Sequence, residues 1–233
     1  MLGIVVALPW ELRSLTRQVI PVGAWKAISA DTLVALSGIG AERAHGAGAT
    51  WIAQGATALL SWGYAAALDD RLRPGYLLLP EVVIGADGET HPVSAEWHRR
   101  LYQTLHPRHS VRTDALVESH GLVKTAAEKR DLGKRTRAAA TDMESAAHAR
   151  LAEKHRLPYI SIRAITDTAS TDIPESVLRA LDAQGHVPVA KLLAHACLRP
   201  TDWLKIVWLG IQFNAAQRAL KKVRELVLTS SQG

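Results

Sequence analysis

The chain contains one continuous unit that decides its architecture. It opens with Thr141-Asp142-Met143-Glu144-Ser145 and crosses an alanine-rich helical pattern (Ala146, Ala147, Ala149, Leu151, Ala152). After Leu157-Pro158 it becomes the apolar run Tyr159-Ile160-Ser161-Ile162 and ends at Arg163-Ala164-Ile165-Thr166-Asp167-Thr168-Ala169. A helical pattern leading into a short, continuously apolar run reads as a helix feeding a buried strand. Each end of the unit carries an acid, Glu144 where the helix begins and Asp167 where the strand runs out. In open α/β sheets, ligands collect beyond the carboxyl ends of strands. Two carboxylates there are either an acid/base pair or two helix caps, and Thr141-x-x-Glu144 has the form of a capping box.

Upstream of this unit, strands and helices alternate. Leu2 to Leu8 reads as a buried first strand, and Pro9 suits the first turn of a helix. Glu11 then falls in that first turn, where the helix dipole favours an acid. Trp25–Ser29 and Thr32–Leu36 read as two strands around the turn Ala30-Asp31. Ser37-Gly38-Ile39-Gly40 precedes a helix expected over Ala41–Gln54. Gly38 and Gly40 fit the first two places of a dinucleotide fingerprint, but Arg43 occupies the third. Ala58 to Ser61 is the next strand, leading into a small-residue loop, Trp62-Gly63-Tyr64-Ala65-Ala66-Ala67. A strand is expected over Tyr76–Val83, helices over Ala95–Leu105 and Ala126–Arg137, and short strands over Arg112–Ser119 and Leu122-Val123. This alternation predicts an α/β fold with a mixed, mostly parallel central sheet flanked by helices.

Beyond Asp167 the signals are helical. Asp172-Ile173-Pro174-Glu175 has the form of a capped helix start, and Val189–Cys197 is a further helix. Thr201 to Leu228 is a long amphipathic segment, apolar nearly all round through Trp203–Phe213 and basic in its second half. The expected organisation is an α/β domain over 1–200 with a C-terminal helical extension over 201–228. That helix suits packing on the core, contact in a homodimer or larger homo-oligomer, or contact with a membrane surface.

The 233 residues are 48% hydrophobic and 21% charged, which suits one compact domain with a sizeable core. Cys197 is the one cysteine, so no intrachain disulfide can form, and no secretion-signal pattern opens the chain. Both point to the cytoplasm, at the inner face of the membrane if the C-terminal helix makes that contact. The net charge of +6 is scattered, apart from Arg218, Lys221, Lys222 and Arg224. No basic-and-aromatic interleaving of the kind that stacks bases accompanies it, which argues against a nucleic-acid partner. No zinc spacing, H-E-x-x-H, Walker loop or G-x-S-x-G occurs, so no metal site is expected. His148, one helical turn after Glu144, either lines the site or is a helix-face histidine satisfied by its neighbours.

Four segments, taken in order, resemble the nucleoside phosphorylase and nucleosidase superfamily. Gly3–Glu11 looks like its first strand and acidic turn. Ser37–Gly40 is similar to its S-G-[IV]-G loop, and Ser61–Ala67 to its small-residue loop. Met143-Glu144-Ser145-Ala146 with Arg163–Asp167 resembles its M-E-[AS]-A and R-[AV]-[IV]-[ST]-D pair. The last third, with Leu181-Asp182-Ala183-Gln184-Gly185, Arg199-Pro200 and the long final helix, looks like the hopanoid-associated phosphorylases. That resemblance implies cleavage of a purine (adenine) nucleoside with a bulky 5′ substituent, of the adenosylhopane type.

The resemblance also implies roles. Asp167 is the general acid at the purine N7, and its partly buried strand end favours a raised pKa. Glu144 holds the ribose hydroxyls, Met143 packs against the sugar, and Gly63, Tyr64 and Ala65 line the nucleoside. Glu11 falls where hydrolytic members carry the acid that activates water. Phosphorolytic members use glycine and arginine near this strand end, and an arginine where this chain has Ser61. Arg43, beside Gly40, is therefore the nearest candidate phosphate ligand. Alanines stand at 66 and 67 where the family usually has glycines, and their methyls would crowd a closely approaching phosphate or ribose. No cofactor is implied, only inorganic phosphate as co-substrate if the reaction is phosphorolytic. Rival expectations are a nucleosidase for small 5′-substituted adenosines such as methylthioadenosine, a nucleoside-binding module without turnover, and an interaction protein built on residues 201–228.

Overall fold

A computed structural model of the chain describes residues 1–40, 43, 54–182, 187–199 and 201–230. The helix expected over Ala41–Gln54 and the segment Ala183–Gly185 lie outside the described residues, except Arg43 and Gln54. The fold is a mixed, mostly parallel sheet with helices on both faces.

Its centre is β4 (Ala58–Ala67). The small residues of Ser61–Ala67, expected as a loop, are the second half of this strand. On one edge β4 pairs in parallel with β1 (Leu2–Val6), from Leu2 opposite Ala58 to Val5 opposite Ser61. Further along the same strand, β10 (Ala140–Asp142) runs antiparallel, with Ala140 opposite Ala67. On its other edge β4 pairs in parallel with β11 (Tyr159–Asp167), in register from Tyr159/Leu59 to Ile165/Ala65. A register shift then sets Asp167 opposite Ala66. The antiparallel hairpin β2 (Trp25–Ser29) and β3 (Thr32–Leu36) joins the sheet through β1, with the bounds read from the sequence.

The other half of the sheet corrects several expectations. Tyr76–Val83 is two strands, β5 (Leu77–Leu78) and β6 (Val82–Ile84). Pro80 lies between them and has no N–H for a ladder. The two pieces take different partners, β5 running antiparallel to β11 and β6 antiparallel to β7 (Thr90–Pro92). Arg112–Ser119 likewise splits into β8 (Val111–Arg112) and β9 (Leu116–Glu118), and Leu122-Val123 is not a strand.

Alternating side chains of the strands feed two apolar layers. Ile4, Val6, Trp62, Ile160 and Ile162 pack with α1 (Pro9–Leu15), α2 (Ala95–Leu105) and the long α7 (Asp202–Ser230). Val5, Leu59 and Tyr159 face the other way, onto α4 (Ser145–Lys154). The remaining described helices are α3 (Ala126–Thr136), α5 (Glu175–Ala180) and α6 (Val189–Cys197). In α7, Ala216, Leu220, Val223 and Val227 follow helical spacing and are fully buried. Each of its three larger aliphatics contributes roughly 2 kcal/mol of burial. The last helix is therefore packed into the main core along its second half. Among the described residues, no helix is long and apolar enough to cross a membrane.

Candidate active site

Parallel strands β1, β4 and β11 end on the same side of the sheet, and this brings the sequence candidates together. They line a cavity of about 490 Å³ with Ala7, Leu8, Trp10 and Glu11 after β1, and Tyr64, Ala65 and Ala66 on β4. Met143 and Glu144 lie ahead of α4, and Thr166 and Asp167 end β11. A second, polar depression of about 480 Å³ shares only Ser119, Leu122 and Val123 with it and holds none of these acids.

Glu11 is not a solvated first-turn acid. Pro9 opens α1, where its missing N–H costs nothing, and within the same turn the Glu11 carboxylate folds back over the strand end. Oε2 accepts from the Ala7 and Leu8 N–H groups at 2.8 and 2.9 Å, and Oε1 from the Tyr64 N–H at 2.9 Å. Gly63 makes this approach possible, because a Cβ there would stand 2.3 Å from Oε1. Gly63 therefore seats Glu11, whereas its neighbours Tyr64 and Ala65 line the cavity. Burial pushes the Glu11 carboxyl above the usual range, against the pull of the Arg163 charge and the three N–H donors.

Glu144 is also free of the capping role that its spacing suggests. Thr141 and Asp142 belong to β10, so α4 starts at Ser145, and the Thr141 hydroxyl bonds the Asp142 carbonyl. Asp142 caps instead, its Oδ1 accepting from the Ser145 N–H at 3.3 Å and from the Ser145 hydroxyl at 2.7 Å. Glu144 turns into the cavity, and its Oε1 accepts from the Gly40 N–H at 2.9 Å. Burial, then the nearby Asp142 and Glu11 charges, push its carboxyl up to about 8. The Gly40 N–H, considered above for phosphate, is thus already engaged. Arg43 lies exposed with its side chain across Gly38, and it is not among the residues described as lining the cavity.

Behind these acids is a buried polar network. Arg163 Nε donates to Asp142 Oδ2 at 2.8 Å, and its Nη2 to Ser61 Oγ at 2.6 Å. Ser61 Oγ also meets His148 Nδ1 at 2.9 Å, which places His148 in the buried interior as part of this network. The arginine of this region is thus tied to Asp142 and Ser61, and it does not line the cavity.

Asp167 has a different environment. Thr166 Oγ1 lies 2.6 Å from Asp167 Oδ1 and 3.2 Å from the Ala65 carbonyl. Oδ2 is ion-paired with Lys129 of α3, whose side chain is completely buried. Burial alone therefore does not describe Asp167. Lys129 escaped the sequence reading because it is a single lysine in a polar helix, 38 residues away in the chain. Asp172 likewise caps a helix other than its own, since its Oδ1 accepts from the Ala126 N–H of α3 at 2.7 Å.

The outer wall is apolar. Ile173, Val177, Leu178, Leu181, Leu209 and Phe213 complete the cavity. Phe213 of α7 packs at 5.0 Å from the Tyr64 ring, tilted by 57°, and edge-on to Trp10 at 6.2 Å.

This sheet, with acids gathered at the ends of β1 and β11 and ahead of α4, defines an enzyme of the nucleoside phosphorylase and nucleosidase class. The sequence model described as the Phosphorylase superfamily matches residues 2–199, and the chain belongs to that superfamily. Among solved structures it is similar to the Helicobacter pylori 5′-methylthioadenosine/S-adenosylhomocysteine nucleosidase bound to butyl-thio-DADMe-Immucillin-A. The TM-score is 0.73 at 16% identity, covering 99% of this chain and 97% of that one. Futalosine hydrolase of the same organism gives 0.71 at 17% identity, with 98% and 95% covered. The Streptococcus pyogenes S-adenosylhomocysteine nucleosidase gives 0.63 at 18% identity, with 72% and 84% covered. At these identities the likeness is one of fold. A search of curated sequences found no significant match.

Proposed function

We propose that this chain hydrolyses the N-glycosidic bond of an adenine nucleoside carrying a bulky, apolar 5′ substituent. The observation that carries the choice of water is the charge of the cavity. Among the described residues its lining includes Glu11, Asp142, Glu144, Asp167 and Asp182 and no lysine or arginine. An anionic phosphate would find no cationic side chain to bind it there, and water needs none. In this reading Asp167 gives a proton to N7 as the C1′–N9 bond breaks. Glu144 accepts from the ribose hydroxyls and offsets positive charge on the sugar, with Met143 packed beside it. Glu11 takes a proton from the water whose oxygen bonds to C1′. Base and sugar leave as neutral adenine and a free reducing sugar.

The 5′ group is assigned to the apolar wall of Val177, Leu178, Leu181, Leu209 and Phe213. The outer face of the same helix exposes Leu204 (84%), Trp208 (59%) and Ile211 (55%) at helical spacing. A lipid nucleoside such as adenosylhopane suits an apolar cavity wall on a helix whose opposite face is apolar and exposed. Peripheral contact of Trp203–Phe213 with the cytoplasmic membrane surface would bring the two together. The rival substrate is a small 5′-substituted adenosine, of the kind named for the nucleosidases of like fold.

A series of 5′-alkylthioadenosines separates these readings. With the apolar wall in use, kcat/KM for adenine release rises about fourfold per added methylene until the cavity is filled, the equivalent of ~0.8 kcal/mol each. A flat or falling series supports the small-substituent reading, and no adenine release from any member refutes the enzyme reading.

A further inference from the structure

We propose that Lys129 is the positioning residue of the base-side acid: it aims Asp167 into the cavity and holds the carboxylate left after the proton has gone to the base. This deepens the reading above and rests on it.

The Lys129 side chain is fully buried, and all three ammonium donors have partners: Asp167 Oδ2, the Thr168 carbonyl at 3.0 Å and the Thr171 carbonyl at 2.8 Å. Packing alone does not call for this arrangement. A lysine wholly removed from water is costly, and an apolar side chain of similar volume would fill the same slot. The geometry instead spends one donor on the acid and two on the loop that follows it. Further ties fix that loop to the start of α3, namely Asp172 Oδ1 to the Ala126 N–H and the Ile173 N–H to the Lys124 carbonyl at 2.8 Å. A capping box at Thr125 and Glu128 fixes the start of α3 in turn. Asp167, which lines the cavity, is thus held at Oδ2 by Lys129 and at Oδ1 by Thr166.

The chemistry gives this cation a use. When N9 departs, the proton of the Asp167 carboxyl moves to N7, adenine leaves neutral, and Asp167 becomes an anion at the base end of an already acid-rich cavity. The other charged groups facing that cavity are Glu11, Asp142, Glu144 and Asp182, with Arg163 behind them bonded to Asp142 and Ser61. Lys129 is the cation bonded to the newly formed carboxylate. A fixed charge placed where negative charge appears lowers the barrier without reorganisation.

The test is a double-mutant cycle on adenine release, with Lys129→Met, Asp167→Asn and the pair combined. Thermal melts of the combined variant, which removes both charges together, show that the fold survives. Lys129→Met lowers kcat about a hundredfold, with KM changed far less. The combined variant is no slower than Asp167→Asn alone, since Lys129 acts through Asp167. Losses that multiply, or a KM that rises as much as kcat falls, overturn the proposal while leaving the hydrolase reading intact. A wild-type protein that releases no base overturns both.

Discussion

The two ends of the cavity handle buried acids in opposite ways. At the end proposed for the ribose, Glu11 and Glu144 are held by backbone N–H groups from Ala7, Leu8, Tyr64 and Gly40. At the end proposed for the base, Asp167 is held by the ammonium of Lys129. Backbone donors orient a carboxylate without cancelling its charge, so burial raises both glutamates above the usual range, and at Glu144 the Asp142 and Glu11 charges add to it. Acids poised in this way suit exchange of protons with water and sugar hydroxyls near neutral pH. A carboxylate clamped by a full positive charge suits a single direction of transfer, in which the anion is the end state. One strand-end architecture thus supplies two kinds of acid by changing only what donates to them.

Removing the acids one at a time tests this difference. Asp167→Asn cannot give a proton to N7, and kcat falls about a thousandfold, within the usual range for general acids. Glu11→Gln leaves the backbone N–H groups partly served and removes the base, so kcat falls about a hundredfold in single-turnover assays. Equal losses at the two positions would erase the contrast between the two ends.

A smaller effect is expected in the pH dependence of stability. Glu144 has a folded-state pKa raised from 4.5 to about 8. The folded state therefore holds its proton more tightly than the unfolded chain. The stability this gives is fully present below about pH 4.5 and is lost as the pH rises through about 8. The empty protein accordingly melts at a lower temperature at pH 8.5 than at pH 5, by several degrees, and Glu144→Gln flattens the fall. A melting curve whose midpoint rises over that interval in the wild type, with the variant unchanged, would place Glu144 in contact with a cation instead.

Much of this fold is legible in the sequence because its decisive signals are local. The apolar runs of β1 and β11 and the Ala30-Asp31 turn give strands at the expected positions. The resemblance brings Glu11, Glu144 and Asp167 to one cavity, where the structure also places them. What the sequence hides is long-range. Thr141-x-x-Glu144 has a capping-box spacing, but pairing with β4 and β9 draws Thr141 and Asp142 into a strand and frees Glu144. Asp172 precedes one helix and caps another. Lys129 has no local signal, since a lysine on a polar helix ordinarily faces water. Apolarity round the first half of α7 is legible, but its division between a cavity-lining side and an exposed side depends on where Tyr64 and Trp10 stand.

The central claim is that water, rather than phosphate, meets the ribose at the end of the cavity lined by Glu11 and Glu144. It is tested most directly by incubating the protein with a 5′-alkylthioadenosine in ¹⁸O-labelled water, with and without inorganic phosphate, and analysing the sugar product. The expected result is adenine and a free reducing sugar carrying ¹⁸O at C1, formed at the same rate with or without phosphate. A sugar 1-phosphate, formed only when phosphate is present, would contradict it.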